Sequence, residues 1–382
     1  MADNKDKKVL NVPALRFPEF TEEWREYAIG NVLSIGNGRD YKHLHNGDIP
    51  VFGTGGYMTS VDDFLYDGES VFIGRKGTIN KPLYYNGKFW TVDTLFYTHS
   101  FVNVLPKFAY CLFQTINWLK YNEASGVPSL SKATIEKIKV RIPSMDEQDK
   151  LSNQLFLLDK RIEVQNKIIE KYESLIQAMC DTLIGKKTQQ VMLSFNDFGE
   201  SYSGLSGKSA EDFGEGSPYI TYMNVYQNQI IDITDIGLVK INKTEQQSLV
   251  QYGDILFTLS SETPEEVGMG AVYLGETYPL YLNSFCFGIH ITDESKIFPP
   301  FLAYYVSSES FRKAVFPLAQ GSTRFNLQKG DFLKKVFPFP AIEQQRKIYS
   351  ILKTYSDKLN IEKQMIKLLC CQKQYLLRQL FI

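Results

Sequence analysis

Loops in both halves of this sequence carry cationic, amide and aromatic side chains that are suited to binding a nucleic acid. Arg and Lys can neutralise phosphates or bind guanine, and Asn can pair with adenine in the major groove. For any single residue, a solvated charged surface is the alternative interpretation. The candidates are Arg39, Lys42, Tyr57, Arg75, Lys76 and Lys81 in the first half, and Lys208, Tyr219, Tyr222, Asn224, Arg312, Lys313 and Arg324 in the second.

Catalytic chemistry has no comparable support in the sequence. The glycines of VFGTGGY (51–57) and GLSGKS (204–209) lack the spacing of a dinucleotide-binding loop or a P-loop. His43 and His45 are a weak metal signal, because no cysteine or second cluster accompanies them. The motifs G-x-S-x-G and H-E-x-x-H do not occur. We therefore predict no catalytic residue, no metal site and no cofactor bound by this chain.

The charge of the chain is balanced, with 42 Lys and Arg against 43 Asp and Glu and a formal net charge of -1. Any nucleic-acid binding must then depend on local patches or on a positive field from a partner subunit. The five cysteines form no C-x-x-C pair, and no apolar run approaches the roughly 20 residues that cross a bilayer. These features predict a folded protein of the cytoplasm.

Two decapeptides, IPSMDEQDKL (142–151) and FPAIEQQRKI (339–348), nearly repeat one another 197 residues apart. The same offset aligns apolar residues over about 128–184 and 325–381, including Leu130 with Leu327. A match of this length predicts a duplicated framework.

Beyond each repeated proline, apolar residues recur at alternating steps of four and three, which is typical of a coiled-coil seam. The pattern predicts two long helices, at 146–184 and 343–381. A polar residue interrupts each seam at the midpoint, Gln165 in one helix and Glu362 in the other, where a polar layer can fix the register. Parallel and antiparallel pairs would both match these positions, so the spacing leaves the orientation open.

The second seam is less apolar near its end, because Lys373 stands where the first seam has Ile176. This lysine either weakens the coiled coil locally or faces a partner subunit. Two core helices of an ordinary domain are the alternative interpretation, although such helices usually show a wider apolar face than a strict seam.

The segments between the helices are mixed in character, so we predict an α+β fold of alternating modules and helices. Strand-like runs occupy 69–74, 91–102, 253–260 and 280–291, and helical stretches follow at 106–124 and 299–316. The modules share this outline but little sequence. The predicted segments are a tail (1–20), a first module (21–142), a first helix (143–187), a second module (188–338) and a second helix (339–382).

The whole chain resembles the DNA-specificity subunit of type I restriction-modification systems. The resemblance lies in RFPEFTEEWREYAIGNV (16–32), YGDILFT (252–258), GSTRFNLQKGDFLKKVFPFPAIEQQRKI (321–348) and its counterpart VPSLSKATIEKIKVRIPSMDEQDKL (127–151). Arg324 lies just before the framework of the second half and is the leading candidate for a DNA contact. The first half has Val127 at the equivalent position, so Arg324 is not a shared framework contact.

The resemblance implies two target-recognition domains, joined by two helices that pack as an antiparallel coiled coil with pseudo-twofold symmetry. Each domain would read one half of a split DNA target, and the helices would set the gap. Two modification subunits would dock on the chain and supply S-adenosylmethionine-dependent methylation. Two restriction subunits would add ATP- and Mg-dependent translocation and cleavage.

Two other functions remain as alternatives from the sequence. A coiled-coil scaffold that binds proteins would carry the same helices but would protect no defined DNA sequence. The other is a methyltransferase or nuclease with an unrecognised active site. The missing cofactor motifs disfavour it, and binding of S-adenosylmethionine by the isolated chain would support it.

Overall fold

The computed structural model describes residues 11–185, 190–242, 244–276 and 278–382. Its contacts divide the chain into two units. The first unit comprises the described residues up to Lys167 together with Gln364–Ile382, and the second comprises Ile168–Lys363.

The helices and strands have the following bounds in the described residues. The α-helices are α1 (Ile29–Val32), α2 (Pro106–Thr115), α3 (Lys132–Lys137), α4 (Met145–Ile184), α5 (Tyr222–Gln227), α6 (Pro299–Tyr305), α7 (Glu309–Val315), α8 (Lys329–Lys334) and α9 (Ile342–Leu380). The strands of the first unit are β1 (Arg25–Ala28), β2 (Ser34–Asn37), β3 (Asn46–Gly53), β4 (Gly56–Val61), β5 (Tyr66–Gly74), β6 (Leu83–Thr91), β7 (Leu95–His99) and β8 (Lys139–Ile142). Those of the second unit are β9 (Gln190–Leu193), β10 (Gly199–Ser203), β11 (Phe213–Ile220), β12 (Ile236–Val239), β13 (Ile255–Thr258), β14 (Ser260–Ser261), β15 (Gly270–Val272), β16 (Tyr281–Leu282), β17 (Cys286–Ile291), β18 (Ala319–Gln320), β19 (Phe325–Leu327) and β20 (Phe337–Pro340).

The first module is built on a six-stranded sheet in the order β2-β7-β5-β6-β3-β4. Its central strand β5 is buried on both faces, and successive side chains of a strand point to opposite faces. Val71 and Ile73 join the main core with α2, whereas Phe72 packs with Phe52 and Phe89 in an aromatic cluster. This double burial explains why residues 71–73 of β5 form a continuous apolar run.

The module of the second unit repeats this plan, with shorter counterparts of β5 and β6. Its described residues form a sheet in the order β10-β17-β13-β15, which corresponds to β2-β7-β5-β6 of the first unit. Each unit also contains one strand with a parallel neighbour on one side and an antiparallel neighbour on the other. In the first unit β3 pairs parallel with β6 and antiparallel with β4. In the second unit β11 pairs parallel with β16 and antiparallel with β12. The predicted α+β class and the internal repeat are therefore confirmed.

The motif YGDILFT has a structural role in the second unit. Asp254 accepts hydrogen bonds from the Tyr202 hydroxyl and the Gln251 amide through Oδ2, at 2.7 and 2.8 Å, and contacts His290 Nδ1 through Oδ1 at 2.8 Å. Burial raises the pKa of Tyr202, so this hydroxyl keeps its proton and donates. The cluster ties β10 and β17 to the loop that begins β13.

The two long helices pack antiparallel in each unit, as the resemblance implies. In the first unit, Leu151 and Leu155 near the start of α4 share a core with Leu377 and Leu380 near the end of α9. In the second unit, Cys180 and Ile184 share a core with Ile348 and Leu352, and Glu173 pairs with Lys363 at 2.6 Å. Both helices begin and end within a residue of the predicted bounds.

The predicted register layer is only partly described by the structure. Gln165 is buried in the seam of the first unit, and the Glu362 side chain is largely covered and pairs with Lys358 at 2.6 Å in the second unit. A pairing of these two residues stays a prediction.

The glutamine of each repeated decapeptide links a long helix to the module that precedes it. Gln148 accepts a hydrogen bond from the Leu105 amide at 2.8 Å and donates to the carbonyls of Asn103 and Pro143 at 3.0 Å. Gln345 accepts from the Phe298 amide at 2.9 Å and donates to the carbonyls of Lys296 and Pro340 at 3.0 and 2.8 Å. Leu105 and Phe298 each directly precede a helix that begins with proline. The repeated decapeptide therefore forms the same hydrogen-bonded joint in both units.

The end of the predicted N-terminal tail is packed in the first unit. Arg16 donates to both oxygens of the buried Glu147 at 2.8 and 2.7 Å, and the Leu15 amide donates to the Gln379 carbonyl at 2.9 Å. The RFPEF stretch therefore binds the start of α4, while residues 1–10 of the predicted tail lie outside the described residues.

The predicted helical stretches are shorter in the structure than in the sequence pattern. The stretch at 106–124 contains α2 and a 3-10 turn at Trp118–Tyr121, and the stretch at 299–316 contains α6, α7 and the first residue of a 3-10 turn at Phe316–Leu318. None of the helices in the described ranges is both long and apolar enough to span a membrane.

Candidate nucleic-acid interface

The six candidate residues of the first unit are all exposed and lie in loops or hairpins of the sheet. Arg39 and Lys42 follow β2, Tyr57 lies in the β3–β4 hairpin, and Arg75, Lys76 and Lys81 follow β5. The glycine-rich VFGTGGY is the turn of that hairpin, where Gly56 has a φ of 105° that favours glycine. The structure thus supports the interpretation of this stretch as a turn.

Local contacts orient some of these side chains. Arg75 donates to the Asp93 carbonyl at 3.3 Å and lies over the Phe96 ring at 5.8 Å. Tyr57 and Ser60 share a hydroxyl hydrogen bond of 3.0 Å. Stacking and a single hydrogen bond leave most of the Arg75 guanidinium available to a ligand, because this group carries five N–H donors.

Arg324 of the second unit is exposed in the loop between β18 and β19. Tyr222 is nearby and half-buried, and its hydroxyl donates to the Ser260 carbonyl at 2.6 Å. Burial raises the pKa of Tyr222, and the positive charge of Arg324 has a smaller opposing effect. Tyr222 therefore supports the loop that lies beside Arg324.

Three other candidates of the second unit are held inside the protein and are poor contacts for DNA. Asn224 is fully buried, where its amide donates to the carbonyls of Asp232 and Asp235 at 2.8 and 2.6 Å. The Lys208 side chain is 3% exposed and pairs with Glu245 at 2.6 Å, and this pairing lowers the pKa of Glu245 to about 2.

Arg312 is the third of these. It donates to the carbonyls of Glu265, Val267 and Gly268 at 2.7 Å, and burial lowers its pKa. The structure therefore corrects the predicted role of Asn224, Lys208 and Arg312: they shape loops, since buried polar groups need internal partners.

The remaining candidates lie at the surface with protein partners. Tyr219 is half-buried and packs edge-on against Phe213 at 5.3 Å. Lys313 is exposed and pairs with Glu309 at 2.5 Å. The structure does not bring either residue into a cluster with Arg324 through a described contact.

The two histidines considered as metal ligands contact different parts of the first module. His43 packs against the Trp90 ring at 5.8 Å, and the His45 amide donates to Asp62 at 3.0 Å. Among the described residues, no group of three or more His, Cys, Asp or Glu side chains could hold a metal ion.

Phe285 and Asn326 are exposed residues that the sequence interpretation did not select. Phe285 was included in a strand-like run, but it lies in the turn between β16 and β17, where its amide donates to Asn283 Oδ1 at 2.9 Å. The dipeptide Asn283-Ser284 was the available signal, because Asn and Ser favour turns through such hydrogen bonds.

Comparison with known families gives these loops a context. The sequence model of the type I restriction modification DNA specificity domain matches the chain twice, at residues 21–174 and 192–369. The chain belongs to this family. Each match of the specificity domain contains one recognition module and most of the long helix that follows it, which confirms the resemblance identified in the sequence.

Individual relatives of this specificity-domain protein agree with the family assignment. It is 24% identical to the type I restriction enzyme MjaVIII specificity subunit of Methanocaldococcus jannaschii, over 92% of this chain and 84% of that protein. It is also 27% identical over 137 residues to the EcoKI specificity subunit of Escherichia coli, which covers 36% of this chain and 29% of that protein.

Solved structures show that the fold is shared. The S subunit of a type I restriction-modification system from M. genitalium aligns with a TM-score of 0.63 at 16% identity, over 97% of this chain and 99% of that chain. A structure from work on complex assembly of the type I R-M system aligns with a TM-score of 0.56 at 14% identity, over 93% and 96%.

Proposed function

We propose that this chain is the non-catalytic DNA sequence-specificity subunit of a type I restriction-modification complex, and that each module reads one half of a split target. The observation that carries the proposal is the double match of the DNA specificity domain to two modules that share a fold. Their exposed loop residues differ, so the two half-targets should differ as well. The relatives are named as specificity subunits, which agrees with this role.

The long helices supply the proposed spacing element. They span 40 and 39 residues, which corresponds to about 60 Å at ~1.5 Å per residue. We propose that this pair sets the gap between the half-targets. The Gln148 and Gln345 joints support the idea, because each fastens a helix to the module that precedes it.

The partners follow from the same proposal. Two modification subunits would dock on the chain and carry S-adenosylmethionine for adenine methylation, and two restriction subunits would carry ATP and Mg. A net charge of -1 agrees with this division, because phosphate contacts dominate DNA affinity and partner subunits can provide them. The assembled complex should therefore bind DNA with a steep dependence on salt.

The proposal is tested by mapping N6-methyladenine across the genome of cells that carry the cognate modification subunit, with and without this chain. We expect a new split motif, methylated on both strands, that appears only when this chain is present. Unchanged methylation, in cells where the complex is shown to assemble, would refute the proposal and favour a protein-binding scaffold.

A further inference from the structure

Three loops converge in each recognition module and are joined by the same backbone hydrogen bonds. In the first unit, the Arg75 amide donates to the Thr94 carbonyl at 2.8 Å, and the Leu130 amide donates to the Arg75 carbonyl at 2.9 Å. In the second unit, the Leu259 amide donates to the Phe285 carbonyl, and the Leu327 amide donates to the Leu259 carbonyl, both at 2.8 Å. We name this element the three-loop platform: residues 75–77, 92–94 and 126–130 in the first unit, and 259–261, 283–285 and 323–327 in the second.

The two platforms are equivalent by position as well as by hydrogen bonding. Leu130 and Leu327 are separated by the 197-residue offset of the repeat, and both are buried in the core of their unit. Beside them, Lys76 pairs with Ser129 as an isolated bridge, and Ser260 pairs with Asn326 between β14 and β19. A shared backbone therefore presents two different sets of side chains.

The side chains at equivalent platform positions differ in chemistry. Arg75 corresponds to Leu259, Lys76 to Ser260, Thr94 to Phe285, and Val127 to Arg324. The positive charge thus lies on the loop after the central strand in the first unit and on the loop before α8 in the second. Leu259 is half-buried and Ser260 is buried, whereas Arg75 and Lys76 are exposed, so the exposed groups of the two platforms differ. A shared backbone with different exposed groups is what recognition of two different sequences requires.

The first platform borders a groove of about 690 Å³. Arg75, Lys76 and Lys132 contribute cations to its lining. Glu123 is also on the lining, but it accepts hydrogen bonds from Ser131, at 2.8 Å from the hydroxyl, and from Thr134. Asp93 is the second carboxylate of the lining. Three cations against two carboxylates give the groove a net positive charge, which favours an anionic ligand.

The second platform offers three groups that match base edges. Arg324 carries a planar fork for guanine, Asn326 is exposed and can pair with adenine, and Phe285 is 56% exposed and can contact the thymine methyl group. The segments that carry them are joined through Leu259, whose amide donates to the Phe285 carbonyl and whose carbonyl accepts from the Leu327 amide.

We propose that the three-loop platform of each module is its base-reading surface. Arg75 and Lys76 determine the first half-target, and Arg324 with Asn326 and Phe285 determines the second. The proposal rests on the proposed function and names the surface that carries it out.

The test uses the full chain assembled with its modification subunit and measures base preference by selection from DNA randomised around the target. Arg324→Ala should lower discrimination at one or more base pairs of the second half-target by about tenfold or more and leave the first unchanged. R75A/K76A should do the converse. Because backbone groups join the platform, these variants should melt at the wild-type temperature.

Two further variants separate base reading from charge. Arg324→Lys keeps the positive charge but loses the guanidinium fork, so we expect it to bind DNA with near wild-type affinity and reduced discrimination. Lys296→Ala removes one exposed cation of the same unit outside the platform, and its base preferences should match wild type.

The proposal is overturned if R324A and R75A/K76A weaken binding to all sequences equally and reduce the salt slope, since that pattern identifies phosphate contacts. Unchanged preferences in both half-targets would overturn it too. A wild-type complex that selects no split target would instead refute the proposed function, so the two failures are distinguishable.

Discussion

Gln148 and Gln345 occupy the same position of the repeated decapeptide, and from a buried site each makes three hydrogen bonds to backbone groups. Replacing Gln148 by Ala would leave the Leu105 amide and two carbonyls without partners. We expect the free energy of unfolding to fall by about 3 kcal/mol, because each unsatisfied buried group costs about 1–3 kcal/mol. Chemical denaturation of the purified chain measures this loss.

A matched control for this joint lies six residues along the same helix. Gln154 is exposed, so Gln154→Ala should change the free energy of unfolding by less than about 0.5 kcal/mol. A Gln148→Ala variant as stable as the control would show that the joint does not stabilise the first unit.

At the residue scale, the sequence identified side chains with suitable chemistry, but it did not show which of them are buried. Arg39, Arg75 and Arg324 are exposed as expected, whereas Lys208 and Arg312 are held by partners that lie 37 and more residues away. A local sequence pattern does not show which distant carboxylate or carbonyl will neutralise a cation. The platform contact between Arg75 and Thr94 was unpredictable for the same reason.

Lys373 interrupts the apolar seam of α9, but it forms an ion pair with a residue of α4. Its ammonium lies 2.5 Å from Asp159 on α4 within the first unit, and the two side chains are 17% and 26% exposed. The Lys373 ammonium also lies 5.9 Å from the centre of the Tyr110 ring. The pKa of Tyr110 is raised, mainly by burial and then by the negative charge of Asp159. The ion pair therefore replaces an apolar contact of the seam.

Lys373→Ile should destabilise the first unit by about 2 kcal/mol, because it leaves a largely buried carboxylate without its counter-ion. The double variant Asp159→Leu with Lys373→Ile should recover wild-type stability to within about 1 kcal/mol, since an apolar pair can replace a buried ion pair. Denaturant unfolding of both variants measures these changes.

The exposed pair Lys363–Glu173 also joins α9 to α4, within the second unit, and provides the control. These side chains are 46% and 48% exposed, so Lys363→Ala should cost less than about 1 kcal/mol. Equal losses for Lys363→Ala and Lys373→Ile would contradict the argument that burial makes the Asp159 pair important.

The elements themselves were predictable to different degrees. The long helices were predicted to within a residue because the steps of four and three recur along each whole segment. Orientation was not predictable from the seam, since Gln165 and Glu362 are the midpoints in either arrangement. Short strands such as β14 and β16 have two residues each and form only by pairing with distant segments. Two residues are too few to show an alternating pattern, so these strands could not be predicted from the sequence.

At the scale of the whole molecule, the proposed role of the helices makes a numerical prediction. A heptad inserted after Lys167 in α4 and another after Lys363 in α9 would lengthen both helices by about 10 Å and keep the seam in phase. Because DNA rises about 3.4 Å per base pair, the gap should grow by about three base pairs. Methylation mapping with the assembled complex should then show the original half-targets at the new spacing.

Inserting the heptad in α4 alone provides the control for this experiment. One lengthened helix would displace its apolar residues from those of its partner, so we expect loss of stable folding or assembly and no new spacing. An unchanged gap in a complex that assembles with both insertions would contradict the proposal that the helices set the gap. Altered half-target sequences would contradict the separation of base recognition from spacing, because both insertions lie outside the platform segments and leave their sequences unchanged.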